Sequence, residues 1–132
     1  MAGKGTHTAA FAHFGTKPHN VQWSWSARNE ATKTVVVTFF QDEFRRESDR
    51  LIYERPREAA IALASSPGHN ELTRNLIWAR DNCDGELKAI VAIAKDRTSL
   101  PRSIAECHPS KMKVRLVELD DNTGAFRVEA EL

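Results

Sequence analysis

Apolar and polar positions alternate with period two from residue 21 to 27: Val21, Trp23, Trp25 and Ala27 fall on one side, and Gln22, Ser24 and Ser26 on the other. That alternation predicts a strand with one wet face. Asn29 and Glu30 predict a turn, and the β-branched run TVVVTFFQD predicts a second strand. From Asn70 to Arg80 the period lengthens. Leu72, Leu76 and Ala79 share one side of a helix, with Ile77 beside them and Asn70 as the N-cap. REAAIALA predicts a shorter helix, with Pro56 in its first turn and SSPG closing it. ELKAIVAIAKD is apolar on both faces and predicts the central strand. The segment from Lys111 onward predicts a hairpin. Met112, Val114 and Leu116 point one way, Lys111, Lys113 and Arg115 the other, and Asp120 to Gly124 make the turn before Phe126 and Val128 resume the apolar face.

The remaining segments lack such periods. Residues 1–13 are expected to form a flexible N-terminal arm ahead of a single domain over 14–132. The stretch 42–57 holds five basic and five acidic residues. It is expected as a surface loop, docked through Leu51, Ile52 and Tyr53 and offering a contact surface to a protein partner. Residues 97–109 are expected to be irregular or a short helix. Only one helical segment separates strands in a plausible crossover, which argues against a long parallel sheet. The pattern predicts an α+β fold: a small twisted mixed or antiparallel β-barrel of about five strands with two short helices.

Composition narrows the class. With 41% hydrophobic residues and 19 basic against 18 acidic side chains in 132 residues, the chain is neither disordered nor a polybasic coat. It has no apolar run of membrane-span length and no apolar export stretch at its start, so a cytoplasmic location off the membrane is expected. Cys83 and Cys107 are expected as thiols rather than as a disulfide framework.

Charge and aromatic residues supply the candidate chemistry. The net charge is +4 over residues 95–115 and −4 over residues 116–132. Lys111, Lys113 and Arg115 share a face on which they could track phosphates, with Arg97, Arg102 and Ser99 joining them from the preceding loop. The plainer reading is a solvated outer face paired with the acids across the hairpin. Phe14, Trp23, Trp25 and Tyr53 are the candidate ligand-binding aromatics. The Trp pair builds core on the simplest reading and a wall against a nucleobase on the other. His7, His13 and His19 recur at a spacing that suits neither helix nor strand, and Cys83, Cys107 and His108 lack a close metal-ligand pair, so neither metal nor cofactor is expected. Glu86 and Lys88, two apart, match a metal-dependent nuclease pattern with Asp42, or Glu71 in the preceding helix, as a further carboxylate, at the frequency that composition alone gives.

An early tryptophan strand (Trp23, Trp25), a helix before a central strand (70–95) and a closing hairpin (111–128) together resemble a PUA-like barrel, the group that includes EVE and ASCH domains. The resemblance implies reading of RNA or of modified DNA bases, with Trp23, Trp25 and Tyr53 walling a base pocket and the basic loop as its phosphate rim. The expected function is a nucleic-acid-binding module that reads a modified base, with enzymatic activity left open. A Glu-x-Lys nuclease and a non-catalytic protein-interaction domain are the alternatives.

Overall fold

Two parallel strands that are apolar on both faces organise the computed structural model, which describes residues 2–20, 23–94 and 104–131. β2 (Thr34–Phe40) turns Val35, Val37 and Phe39 to one face and Val36 and Phe40 to the other, and all five are buried. β5 (Glu86–Ala94) runs parallel to it, with Val36 opposite Lys88 and Phe40 opposite Ala92. β1 (Ser26–Asn29) closes the outer edge of β2 antiparallel. Along β5 run β6 (Ile104–Pro109) and then β7 (Val114–Leu119), both antiparallel. Ile90 faces Pro109 while Leu87 faces Val114, so β6 and β7 behave as one strand interrupted by a bulge near Ser110–Lys113. β8 (Phe126–Glu131) pairs with β7, β4 (Arg50–Arg55) with β8, and β3 (Arg45–Glu47) with β4.

Helices cover the two faces unequally. α3 (Pro67–Asn82), preceded by the short α2 (Arg57–Ala62), lays Leu72, Leu76 and Ala79 on Val35, Val37, Leu87, Val114, Phe126 and Val128. α1 (Ala2–His13) covers part of the other face, where Ala10 and Phe11 pack with Val36, Phe40, Ile90, Ala92 and Cys107. The rest of that face, on β3, β4 and β8, is clad in ion pairs. Arg45 binds Glu47 at 2.8 Å and also Glu54, Arg50 binds Glu129 at 2.6 Å, and Arg127 reaches Glu129 at 3.3 Å. Ile52 is buried beneath this layer.

The expected five-stranded barrel is thus corrected to an open, mixed sheet of eight strands with three helices among the described residues. β1 and β3 end the sheet and do not pair with each other, so the closure that defines a PUA-like barrel, and with it the EVE/ASCH resemblance, is overturned. The physical reason lies in burial. Helices on both faces hide what a barrel would enclose, so the sheet has no need to close.

Local readings shift for equally physical reasons. The charged stretch 42–57 is a hairpin of β3 and β4 after a 3₁₀ turn at Gln41–Glu43, not a surface loop. Its alternation is hidden because charged residues fill the ion-pair face. The segment read as an arm forms α1, seated through its last turn. Of the strand placed over 21–27, Val21 and Gln22 lie outside the described residues and residues 23–25 precede β1, which starts at Ser26; Ser24 and Ser26, expected on a wet face, are buried. Asn75 donates to the Ser26 hydroxyl at 2.8 Å, which satisfies it in the core. α3 starts at Pro67 rather than Asn70. Ser66 is its cap and SSPG, read as a breaker, is its start signal. β5 and the β7–β8 hairpin stand where the sequence places them.

Candidate functional site

Most of the predicted site residues that the structure describes fall in one of two cavities that share no lining residue. The larger, a groove of about 730 Å³, opens on the α1 side of the sheet beside the β6–β7 bulge. Lys88 reaches it from β5, Lys111 and Lys113 from the bulge, Arg115 from β7, Arg50 from β4, and Phe14 from the chain just after α1. Of the three acids lining it, Glu129 and Glu86 face arginines, while the exposed Glu131 has no ion pair among the described residues. Arg50 hydrogen-bonds Glu129, holding that carboxyl below the usual carboxylate range. Arg115 lies 4.0 Å from Glu86 and donates to the Asp84 carbonyl oxygen at 2.8 Å. Lys88, Lys111 and Lys113 are exposed and have no ion-pair partner among the described residues. Met112 and Val117 give the groove an apolar component, and Phe14 offers a half-buried ring. The plainer reading, a charge-paired outer face, describes Arg50 and Arg115 but not the three lysines.

The smaller cavity, about 300 Å³, lies on the α3 side at the C-terminal end of β2. Val37, Phe39, Tyr53, Leu72 and Phe126 line its buried interior, while Trp25, Glu43, Arg55, Leu63 and Ser66 reach solvent around it. Tyr53 stacks on Phe126 with ring centroids 6.0 Å apart and meets Phe39 edge-on at 4.7 Å, and its hydroxyl donates to Glu43 at 2.7 Å. The buried His69 accepts at Nδ1 from the Arg55 guanidinium at 2.9 Å and donates from Nε2 to the Thr123 carbonyl oxygen at 2.9 Å, which fixes its tautomer. Gly68 permits this seat. A Cβ there would lie 2.5 Å from the Trp23 carbonyl oxygen and 3.0 Å from the Trp25 ring.

The aromatic wall and the phosphate rim therefore do not meet. Trp25 and Tyr53 line the small cavity, Phe14 lines the groove, and Trp23, against His19, lines neither. Arg97, Ser99 and Arg102 lie outside the described residues. Glu86 and Lys88 both border the groove, but Asp42 follows Phe40 at the other end of the β2–β5 pair, roughly 20 Å along the strands from Glu86. Among the described residues no group of three His, Cys, Asp or Glu side chains is placed to hold a metal ion. Burial pushes the Cys107 thiol up to about 11, while His108 points away to solvent, an arrangement unsuited to a thiolate nucleophile. Sequence reading missed Arg55 and His69, although a histidine directly after Ser-Pro-Gly at a helix start is a usable signal. No helix among the described residues is long and apolar enough to cross a membrane.

No family model, curated protein or solved structure matches the chain.

Proposed function

We propose that the protein binds nucleic acid, with the sugar–phosphate backbone running along the groove beside the β6–β7 bulge. The observation that carries this reading is the convergence of Lys88, Lys111 and Lys113, all without ion-pair partners among the described residues, on one open groove that also presents the Phe14 ring. Uncommitted ammonium groups favour phosphates through counterion release, and a nearby ring accepts a base of any sequence. An open groove of this kind suits backbone tracking. Enclosing a modified base would call for an aromatic pocket, and that cavity lies on the other side of the sheet.

The alternatives find less support. The nuclease reading has Asp42 at the far end of the β2–β5 pair and Glu71 on α3, across the sheet from the groove, and no group of three His, Cys, Asp or Glu side chains placed to hold a metal ion among the described residues. A protein-contact role for 42–57 is weakened because Arg45, Glu47, Arg50 and Glu54 are spent on ion pairs with one another and with Glu129 and Arg127.

The test is fluorescence anisotropy with labelled single- and double-stranded DNA and RNA, modified and unmodified, at low salt. Replacing Lys88, Lys111 and Lys113 together with Gln is expected to weaken binding at least about tenfold while leaving the thermal midpoint near wild type, since all three are exposed. No binding by the wild-type protein to any of these strands would sink the proposal.

A further inference from the structure

The small cavity has a composition that nucleic-acid tracking in the groove does not use. Its interior is aromatic and aliphatic, which suits a flat ring. At its rim stands one half-buried cation, Arg55. Its guanidinium lies over the Phe126 ring, 5.5 Å from the centroid, and one of its nitrogens is hydrogen-bonded to His69. No carboxylate pairs with Arg55 among the described residues. Glu43, the acid lining the same cavity, receives the Tyr53 hydroxyl. His69, bonded on both ring nitrogens, holds the guanidinium without neutralising it. A cation kept in an aromatic setting with no acid against it is an unfilled half of a charge-assisted pair. The first turn of α3 contributes no acid, and Gly68 brings backbone with no side chain to the same cavity.

From this arrangement we infer that the cavity binds a small planar ring carrying a single anionic group, with the ring against Tyr53, Phe126 and Trp25 and the anion on Arg55. A volume of about 300 Å³ holds a one- or two-ring compound and not a run of nucleotides. The ligand is also a free molecule rather than a base presented by a strand in the groove. The groove takes Glu86 to Lys88, whereas the cavity takes Phe39 and Phe40, whose partners on β5 are Val91 and Ala92, about 13 Å further along the strand and mainly on the opposite side of the sheet. The anion can be a carboxylate or a phosphate, and Arg forks onto either.

The experiment titrates the full chain with indole-3-carboxylate and with adenosine monophosphate, each beside its uncharged counterpart, indole-3-carboxamide and adenosine. Backbone amide shifts report the site. The expected result is saturable binding of at least one anion, tenfold or more tighter than its neutral counterpart, with shifts centred on Ser66–His69 and Arg55 and none at Lys111–Arg115. Whichever anion binds identifies the headgroup chemistry. Arg55→Gln is expected to remove the preference for the anion, and Arg55→Lys to retain part of it. No saturation by either anion up to about 1 mM, shifts centred on the groove, or an undiminished anion preference in a folded Arg55→Gln protein would each overturn the inference. No oligonucleotide is used, so this outcome is independent of the groove proposal.

Discussion

At the residue scale, the VQWSWSA segment shows how a clean alternation misassigns both the strand's start and its faces. The alternation predicts buried tryptophans and wet serines. Trp23 and Trp25 are only half-buried, while Ser24 and Ser26 are buried. Small hydroxyl residues fit where α3 presses on β1, and the Asn75 amide supplies the partner that makes Ser26 affordable there. Nothing in one sequence tells a serine with a distant Asn partner from a serine in water. Replacing Asn75 with Ala should cost about 1–3 kcal/mol in chemical denaturation, because the Ser26 hydroxyl is left buried without its donor. A loss below a few tenths would mean that the pair contributes nothing net.

At the scale of elements, legibility followed contrast between faces. β5 and the β7–β8 hairpin are apolar where the core is and turn-rich where they end, so the chain alone reveals them. β3 and β4 escape because charge lies on the exposed face and extends over the edge strand, where Arg45, Arg46 and Glu47 are all exposed. α1 escapes because Ala10 and Phe11 are the buried positions over residues 7–13, after a glycine- and threonine-containing start. His7 joins that seat. It stacks on Phe11 with ring centroids 4.8 Å apart and contacts the Thr38 hydroxyl at 2.9 Å, and burial lowers its pKa from the ordinary 6.5. A depressed folded value means that the neutral ring's contribution to stability is complete above 6.5 and fades as pH falls below it toward the folded value. Amide protection factors over residues 7–13, with exchange rates corrected for their intrinsic pH dependence, should therefore fall as pH is lowered from neutral, and His7→Gln should flatten that dependence. A profile unchanged by the substitution would place the pH sensitivity elsewhere.

For the whole molecule, the sheet sorts chemistry by side. The β-strand rule that neighbouring side chains oppose each other sends Lys88 and Arg115 to the groove and Leu87 and Val114 to the α3 core. The basic members of the candidate site were legible because Lys111, Lys113 and Arg115 are close in sequence. Lys88 joins them only through the pairing of β5 with β7; the separation of Trp25 from the lysines follows from the parallel β2–β5 register and that of Tyr53 from its place on the α3 face of β4, neither of which one sequence discloses.

The most direct measurement of the groove's role is the salt dependence of oligonucleotide affinity for wild type, the triple lysine variant and Phe14→Leu. Each lysine on a phosphate contributes about 0.7 to the slope of log K against log salt for a single strand, so losing three should lower the slope by about two. Phe14→Leu should weaken binding by about 1–3 kcal/mol and leave the slope nearly unchanged, as expected for lost stacking. A slope that stays the same when Lys88, Lys111 and Lys113 are removed would contradict the groove as the path of the phosphate backbone.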